Sequence, residues 1–458
     1  MMDLIKPLAK HIIFPLVVFR ERSSTLKHLA EMEKAQFLHP DKIKELQLIR
    51  LKKLLQHAYN NCPFYTKRFD EYGFKPEKLY SLDDIRILPV LAKKDIQQNR
   101  DYLKAKNIPN DMLVPNKTGG STGSPLHFYL DADRLFSRQA ATFRHNRWAG
   151  WDIGVKTASL WGNREDISGL QHLKARVRNF LLDRRIVLDT SSITPQKLAD
   201  FKMQLTKYRP SLYIAYANAM YLFAKYLKQT NSSDHHRPDA IITSAELLDP
   251  GQRALIESIF ECRVFDRYGS RETSVIASEC EKHSGLHIGA DGFLLEFIKG
   301  NKPVKPGELG KIIITDLLNY GMPFIRYQIE DAGAPSGENC SCGRGLPLMK
   351  MAAGRVTDFL VTPERKIISG ASLTIYLVAN TPGVAQAQLV QETIDEITFR
   401  IVKGEKFNDE SLQYLQSELP KFFGPSMKYR IEFTEQIPLE SSGKYRFSIS
   451  KVDPAEIF

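Results

Sequence analysis

Apolar residues recur at helical spacing between residues 42 and 59. With lysine and glutamine between them, the apolar side chains fall at i, i+3, i+4 and i+7, at Leu51, Leu54, Leu55 and Ala58. This spacing predicts an amphipathic helix that buries one face. The sequence Asn60-Asn61-Cys62-Pro63 then predicts the end of the helix.

Short apolar runs alternate with helix-like segments from about residue 80 to residue 290. Residues 211–216 and 240–243 are two of these runs, and they have the length and composition of buried strands. Beyond residue 290 the pattern changes to strands separated by Gly, Pro and Asn, at 293–297, 311–315 and 324–328. The alternation predicts an α/β fold with mixed α+β layers.

The last hundred residues predict a separate small unit. Its apolar runs predict strands over 387–391, 397–402 and 428–433. Leu412, Leu415 and Leu419 share one face of a helix predicted over 409–419, which Asn408 would cap and Pro420 and Gly424 would end. We place the boundary near Gly354-Arg355. The prediction is a large N-terminal domain, residues 1–353, and a small C-terminal α/β domain, residues 354–458.

Composition and charge narrow the class of protein. Hydrophobic residues make up 43% and charged residues 26% of 458, which is ordinary for a folded soluble chain. The net charge of +11 suits a protein that handles anions such as ATP, CoA or anionic lipids. The sequence has no zinc finger, no ribonucleoprotein aromatic motif and no isolated basic arm, so we predict no nucleic-acid partner.

Cysteine content and hydropathy indicate the compartment. Five cysteines in a long chain make a disulfide framework improbable and favour the cytoplasm. No apolar run approaches the ~20 residues that span a bilayer. Residues 1–20 are apolar with scattered positive charge and could contact a membrane surface. We favour instead a helix that packs on its own domain, interrupted by Pro7 and Pro15.

The first candidate site is a loop rich in glycine and hydroxyl groups. Its residues Thr118, Gly119, Gly120, Ser121, Thr122 and Gly123 precede Ser124 and Pro125. Glycines allow close backbone approach to an anion, and successive N–H groups and hydroxyls can bind phosphate oxygens. The loop lacks the Gly-Lys-Ser/Thr of a Walker motif. The alternative is a polar surface turn.

The second and third candidate sites combine an aromatic ring with carboxylates. In Asp266–Thr273, Tyr268 offers a flat face for a purine, Gly269 permits close approach beside Ser270, and Glu272 could hold Mg²⁺. Asp331 ends the Ile325–Asp331 run and could accept hydrogen bonds from ribose hydroxyls. The alternatives are a strand–turn–helix junction with a solvated Glu272, and a solvated carboxylate after an edge strand.

The fourth and fifth candidate sites carry basic residues. At the domain junction, Arg355 could reach a phosphate or the ribose, and Asp358 lies where a hinge would be. Lys444 lies on a Gly/Ser loop, from which it could stabilise negative charge on the α-phosphate and the attacking carboxylate. A charged linker and one more surface lysine are the alternatives.

The order and spacing of the five motifs resemble those of the adenylate-forming superfamily of acyl-CoA synthetases, peptide-synthetase adenylation domains and luciferases. Within it, the chain is most similar to the phenylacetate–CoA ligase group and its capsular polysaccharide biosynthesis (CapK-like) branch. The resemblance covers nearly the whole chain. It is carried by Thr118 to Pro125, Tyr268 to Glu272, Arg326 to Asp331, Gly354 to Asp358, Ser442 to Arg446 and Ala58 to Tyr65.

The resemblance implies an ATP-dependent ligase whose active site lies between a large domain and a small mobile domain that swings about Asp358. The hydroxyl-rich loop would hold the β- and γ-phosphates, and Tyr268 would stack on adenine near Glu246. Glu272 would hold Mg²⁺, Asp331 would bind the ribose, and Lys444 would drive adenylation.

The sequence departs from the wider family at two places. Ser124 and Leu126 flank Pro125 where many members have lysine, so phosphate binding relies more on backbone N–H groups. After Asp358, residues 359–370 do not reproduce the Lys-Ile-Arg-Gly-type run of CoA ligases. That segment shapes the second half-reaction, so the acceptor could be CoA, a carrier protein's thiol, or an amine or hydroxyl of a sugar precursor.

A zinc site is a separate prediction. Cys340 and Cys342 lie in a Gly/Pro-rich loop, and Cys280 is followed by His283 and His287. Three thiolates and one imidazole would make a closed, structural zinc site. A similar pattern in a subset of the phenylacetate-ligase group points to His287 rather than His283. Free thiols with two surface histidines are the alternative.

The sequence therefore predicts ATP-dependent activation of a carboxylic acid to an acyl-adenylate, followed by acyl transfer, in surface polysaccharide biosynthesis. Three alternatives stay open: a transferase that leaves AMP on a cofactor, a non-catalytic scaffold for polysaccharide assembly, and a membrane-surface binding protein.

Overall fold

The computed structural model describes residues 3–118, 126–161, 173–191, 193–353, 356–357, 359–373, 377–378, 380–437 and 446–452. Its longer helices include Pro40–Asn61, where apolar residues at i, i+3, i+4 and i+7 face the core. The α-helices are Ile5–Leu8, Phe14–Arg20, Thr25–Ala35, Pro40–Asn61, Pro63–Glu71, Lys93–Leu103, Ala132–Trp148, Leu173–Arg178, Pro195–Tyr208, Ala217–Gln229, Pro250–Phe260, Gly370–Leu373 and Asp409–Phe423. Single π-turns cover Ala9–Ile13 and Asn179–Asp183, and 3₁₀ turns cover Pro76–Lys78, Leu82–Ile87 and Asn110–Met112.

A large mixed sheet forms the centre of residues 157–353. In spatial order its strands in the described chain are Lys302–Pro303, Phe293–Lys299, Gly310–Asp316, Tyr327–Pro335, Leu348–Ala353, Leu286–Ile288, Ser274–Glu279, Arg263–Ser270, Ala240–Ser244, Leu212–Tyr216, Thr157–Trp161 and Arg185–Asp189. The last five run parallel, and the others pair antiparallel. Parallel strands meet at one edge with their carboxyl ends, where ligands bind in open α/β sheets.

Three smaller sheets complete the fold. Leu113–Lys117 and His127–Asp131 form a hairpin, and Phe359–Val361 pairs with Ile367–Ser369. The sheet near the C-terminus has the order Val356–Thr357, Arg446–Ser450, Val384–Thr393, Glu396–Lys403 and Lys428–Phe433. Helix Asp409–Phe423 contributes Leu415, Leu419 and Phe423 to the core beside it.

The hairpin of Phe359–Val361 and Ile367–Ser369 contacts two cores. Val361 and Ile367 pack with the parallel half of the large sheet, whereas Leu360 and Ile368 pack with the C-terminal sheet. Ile193 and Ile367 also exchange two backbone hydrogen bonds of 2.6 Å. The predicted mixed α/β class is confirmed. The boundary near Gly354-Arg355 stays a prediction.

Two predicted elements are placed differently by the structure. The strand predicted over 324–328 begins at Tyr327, because Arg326 has φ +53° and turns the backbone. The helix predicted over 409–419 continues through Pro420 to Phe423, and Gly424 at φ +84° then ends it. Burial of Phe423, worth roughly 1.5–3 kcal/mol, offsets the loss of one N–H donor at Pro420.

We expected Pro7 and Pro15 to interrupt the N-terminal helix, but the backbone stays helical across both residues. Pro7 lies in the first turn, where its missing N–H is one that a helix leaves unpaired anyway. Before Pro15 the chain makes a π-turn, in which the N–H of Phe14 donates to the carbonyl of Ala9. The wider turn accommodates the ring of Pro15, so helical backbone continues to Arg20.

Candidate active site and metal centre

Tyr268 and Asp331 are joined by a hydrogen bond although they lie 63 residues apart in sequence. The Tyr268 hydroxyl donates to Asp331 Oδ2 at 2.8 Å. Tyr268 lies on strand Arg263–Ser270 and is buried, whereas Asp331 lies on strand Tyr327–Pro335. The structure therefore brings together the residues for which the sequence predicts adenine and ribose binding.

Glu272 lies in the turn of a tight β-hairpin, and not at the strand–turn–helix junction that was the alternative interpretation of this motif. The hairpin is formed by Arg263–Ser270 and Ser274–Glu279. A Cβ at Gly269 would lie 2.4 Å from the carbonyl oxygen of Ser274, so only glycine permits this close approach. Glu272 is buried, and its Oε1 accepts a hydrogen bond of 3.1 Å from the Tyr327 hydroxyl.

Two arginines of helix Ala132–Trp148, the buried Arg134 and the partly exposed Arg138, hold the backbone on both sides of Glu272. Arg134 donates to the carbonyl of Thr273 at 3.0 Å, and Arg138 donates to that of Arg271 at 2.9 Å. Arg134 is itself fixed by a 2.7 Å ion pair with Asp316, in which both side chains are buried. Burial lowers the pKa of Arg138 to about 10, so it remains charged at neutral pH. Side chains of a helix that is distant in sequence thus fix the backbone position of Glu272.

Sequence reasoning missed Tyr327, Arg134 and Asp316. Tyr327 lies inside the Arg326–Asp331 motif, so its place beside two motif carboxylates could have been a signal. No local pattern marks Arg134 or Asp316, because their contacts join segments more than one hundred residues apart.

Glu246 lies at the carboxyl end of strand Ala240–Ser244, next to the strand that carries Tyr268. Its Oε2 accepts from the N–H of Asn218 at 2.9 Å. Asn218 belongs to the first turn of helix Ala217–Gln229, whose N-cap residue Tyr216 makes no side-chain cap bond. Glu246 therefore caps this helix, and its predicted position near adenine stays a prediction.

Thr118 closes the neck of the predicted phosphate loop. Its N–H donates to the Leu126 carbonyl at 3.0 Å, and its Oγ1 accepts from the Leu126 N–H at 2.9 Å. Strands Leu113–Lys117 and His127–Asp131 flank this neck, so the predicted loop joins two antiparallel strands. Gly119, Gly120, Ser121, Thr122 and Gly123 lie outside the described residues, as do Arg355, Asp358 and Lys444.

Cys280, His287, Cys340 and Cys342 form one cluster. Their ligand atoms all lie within 4.8 Å of one another. Sγ of Cys280 is 3.6 Å from Sγ of Cys340, and Sγ of Cys342 is 3.3 Å from Nε2 of His287. Tetrahedral Zn²⁺ with bonds of 2.0–2.3 Å separates its ligands by about 3.5–3.8 Å. The donor set and its spacing therefore fit zinc.

Surrounding groups orient the cluster. Nδ1 of His287 lies 3.1 Å from the Leu346 carbonyl, a bond that leaves Nε2 facing Cys342. Backbone N–H groups of Lys282 and Arg344 donate to Sγ of Cys280 and Cys342. Cys280 follows strand Ser274–Glu279, and Cys340 lies between Tyr327–Pro335 and Leu348–Ala353. The cluster thus connects two loops of the antiparallel half.

The electrostatic character of the thiols differs within the cluster. Burial raises the pKa of Cys280 to about 12, with the neighbouring thiols acting in the same direction. At Cys342 burial also acts to raise the pKa, but hydrogen bonds from Arg344 outweigh it and lower the pKa. His283 lies outside the cluster, with Nδ1 3.1 Å from Glu279 Oε2, so His287 is the histidine the structure brings to the cysteines.

Comparisons with known proteins agree with this architecture. The family model described as CapK C-terminal domain matches residues 360–451. Protein CapK of Staphylococcus aureus is 25% identical over 418 residues, which cover 89% of each chain. Phenylacetate-coenzyme A ligase of Thermus thermophilus is 24% identical over 390 residues, covering 82% of this chain and 85% of that protein.

The chain is similar to CapK and to the phenylacetate–coenzyme A ligases over most of its length. Among solved structures, a 2-hydroxyisobutyryl-CoA ligase in complex with 2-HIB-AMP and CoA, in the thioesterification state, superposes with a TM-score of 0.62. That match covers 92% of both chains at 19% identity, so it shows the fold. The resemblance to adenylate-forming ligases is confirmed, and the relatives support the predicted enzyme class.

Proposed function

We propose that the protein activates a carboxylic acid with ATP and transfers the acyl group to coenzyme A. In the first step a carboxylate oxygen attacks the α-phosphorus, an acyl–AMP bond forms, and pyrophosphate leaves with the electrons of the broken P–O bond. In the second step the thiol sulfur attacks the acyl carbon, AMP leaves, and the thiol proton goes to solvent. The hydrogen bond between Tyr268 and Asp331, which unites two motifs in one site, carries this proposal.

The protein's contribution to the first step is positioning. The Tyr268 hydroxyl fixes Asp331, which would accept from the ribose hydroxyls, while the Tyr268 ring would face adenine. Tyr327 orients Glu272, and Arg134 holds the adjacent backbone, so the Glu272 carboxylate is held for Mg²⁺. Bound Mg²⁺ would neutralise phosphate charge. Lys444 would stabilise the charge that develops at the α-phosphate.

Two observations support coenzyme A as the acceptor: the names of the phenylacetate-coenzyme A ligases related over most of the chain, and the CoA complex of the structural neighbour. A carrier thiol and a sugar precursor are the other acceptors that the chemistry allows. A role in surface polysaccharide biosynthesis rests on the relation to CapK.

We also propose that Cys280, His287, Cys340 and Cys342 hold a structural Zn²⁺. Four protein ligands fill a tetrahedral shell, which leaves no position for substrate, so the ion would stabilise the two loops. Metal analysis of protein never exposed to chelator should find about one zinc per chain. Protein without zinc, folded and of unchanged stability, would end this proposal.

A screen of carboxylic acids tests the function. Pyrophosphate release should depend on one class among aryl, fatty, amino and sugar acids, and AMP should accumulate faster when CoA is added. Lys444→Ala should lower carboxylate-dependent ATP–pyrophosphate exchange by about 10²-fold or more. Lys428→Ala is the matched control, since Lys428 is exposed and pairs with Asp395.

Three results would overturn parts of the proposal. Equal exchange in Lys444→Ala and Lys428→Ala would remove Lys444 from the mechanism. Pyrophosphate release with AMP left in a stable ester would favour an adenylyl transferase. No turnover with any acid, in protein that binds no nucleotide, would favour a scaffold.

A further inference from the structure

The N-terminal helical segment exposes a row of large apolar side chains. Five residues spaced three or four apart are between 40% and 84% exposed, and Phe19 is the most exposed of them. They are Leu4, Leu8, Ile12, Leu16 and Phe19. Scattered exposed apolar residues are normal, whereas a continuous exposed row indicates a contact surface.

The π-turn at Ala9–Ile13 keeps this row on one side of the segment. Four residues of α-helix rotate by about 400°, so a row at i+4 drifts by about 40° per step. A π-turn has more residues per turn, so a step of four residues within it falls short of a full turn. The row then drifts in the opposite direction, which offsets the drift in the α-helix. The exposed side chains therefore stay aligned over the length of the segment.

The opposite face of the same segment fixes it to the protein. Ala9 and Phe14 are buried against Ile153 and Leu182. A Cβ at Gly154 would lie 2.8 Å from both the Ala9 Cβ and the Lys6 carbonyl oxygen, which shows how closely the segment is packed. The segment is thus anchored on its own domain, as the sequence predicted, and still presents a second apolar face.

A second helical segment extends the exposed area. Leu173, Val177 and Phe180 are 50–76% exposed on Leu173–Arg178 and the following π-turn. Arg178 lies 3.6 Å from Glu21, and Arg184 lies 2.8 Å from Asp3. These two ion pairs show that the segments lie side by side. We call the eight exposed residues of both segments the N-terminal apolar surface.

Charge around this surface is strongly positive. Residues 3–22 and 173–185 contain nine Lys and Arg but three Asp and Glu, so these 33 residues supply +6 of the chain's +11. All three acids pair with arginines: Asp3 with Arg184, and Glu21 and Asp183 with Arg178. The exposed bases without a salt bridge to a described residue are Lys6, Arg20, Arg22, Lys174 and Arg176.

We propose that the N-terminal apolar surface docks the protein on an anionic phospholipid bilayer. Apolar side chains on helices flanked by Lys and Arg insert at the boundary of headgroups and acyl chains, and the bases bind lipid phosphates. A second copy of the chain is a poorer occupant, because two surfaces of +6 would face each other. No helix in the described part of the chain has the length and hydropathy to cross a membrane.

Flotation of the full chain with phosphatidylglycerol-containing vesicles tests the proposal. The wild type should float with these vesicles and bind pure phosphatidylcholine at least about tenfold more weakly. The double variant Leu16→Ser/Phe19→Ser should lower binding at least about tenfold, because two large apolar side chains no longer enter the lipid. Phe180→Ser, on the second segment, should also lower binding.

The control variant is Ile49→Ser/Leu309→Ser, which removes two apolar side chains elsewhere that are 66% and 59% exposed. It should float like the wild type. Equal binding by all variants, or equal binding to neutral vesicles, would overturn the proposal. A wild-type dimer that Leu16→Ser/Phe19→Ser converts to monomer, without vesicle binding, would overturn it in favour of self-association. The assay needs no ATP or substrate, so its result is independent of the proposed enzyme activity.

Discussion

Two buried polar clusters lie at opposite ends of one β-hairpin, and they differ in what satisfies their polar atoms. At the turn of Arg263–Ser270 and Ser274–Glu279, tyrosine hydroxyls donate to the carboxylates of Asp331 and Glu272. Beyond the last residue of the second strand, Cys280 begins a cluster of thiols and an imidazole whose spacing fits a cation.

The two clusters acquire their geometry in different ways. The chain supplies hydrogen-bond partners for the carboxylates, so their positions would be set before a nucleotide binds. The sulfur and nitrogen donors would gain their main stabilisation from the proposed zinc ion, so the loops that carry them would depend on that ion for stability. One cluster is therefore expected to govern activity and the other to govern stability.

The largest expected effect is on activity at the hairpin turn. Glu272→Gln keeps an oxygen that accepts from Tyr327 but loses the charge that would hold Mg²⁺. Carboxylate-dependent exchange should fall by roughly 10²–10³-fold, with little change in the thermal unfolding temperature. Glu338→Gln, in an exposed loop, is the control. If Glu272→Gln catalysed exchange as fast as Glu338→Gln, Glu272 would not belong to the site.

Next in size is the effect of removing a cysteine from the cluster. Cys340→Ser should bring zinc well below one per chain and lower the thermal unfolding temperature on the order of 5 °C. Exchange below that temperature should change by less than about threefold. Cys262→Ser, which removes a thiol outside the cluster, should leave the zinc content unchanged. A loss of exchange greater than about threefold, without a lower thermal unfolding temperature, would contradict the division between the clusters.

Asp266 lies on the first strand of this hairpin and should make stability depend on pH. Burial, together with the charge of Glu279, raises its pKa from 3.8 to about 6. Because the folded pKa is the higher one, the favourable contribution is complete below pH 3.8 and is lost as pH rises through about 6. Asp266→Asn should therefore stabilise the protein, and its advantage should grow by about 1.4 kcal/mol from pH 5 to pH 8.

Thermal unfolding at the two pH values measures this difference, with zinc content as a check that any ion bound by the Cys/His cluster is retained at both. An advantage that is constant from pH 5 to pH 8 would show that the Asp266 carboxyl does not titrate in this range.

A smaller effect is expected for Tyr327→Phe, which removes the hydroxyl that donates a hydrogen bond to Glu272. One hydrogen bond contributes about 1 kcal/mol, so exchange should fall about three- to tenfold. Tyr80→Phe, at a residue that is 77% exposed, should have no effect. A loss as large as that of Glu272→Gln would mean that Tyr327 does more than orient the carboxylate.

Local motifs made part of the site predictable. Tyr268, Glu272 and Asp331 lie in short recognisable runs, and the cysteines of the cluster stand out because the chain has only five. The hydrogen bonds to Glu272 and Asp331 cross 55 and 63 residues of sequence, and no local spacing encodes them. The strand predicted from residue 324 begins only at Tyr327, since Arg326 turns the backbone and its side chain forms a buried ion pair with Glu296, 30 residues away in sequence.

The exposed apolar row at the N-terminus shows the same limit. Sequence identified residues 1–20 as apolar and basic, and the helical path across Pro7 and Pro15 was not foreseen. The partner segment Leu173–Arg178 could not be found, because more than 150 residues separate it from the row that it extends.

A double-mutant cycle on ATP affinity tests the central claim most directly, namely that Tyr268 and Asp331 act as one unit on a nucleotide. Calorimetry would give the ATP dissociation constants of the wild type, Tyr268→Phe, Asp331→Ala and the double variant. Because the Tyr268 hydroxyl acts through Asp331, the double variant should bind about as weakly as Asp331→Ala alone. Losses that add within about 0.3 kcal/mol, or a wild type that binds no ATP, would contradict the account.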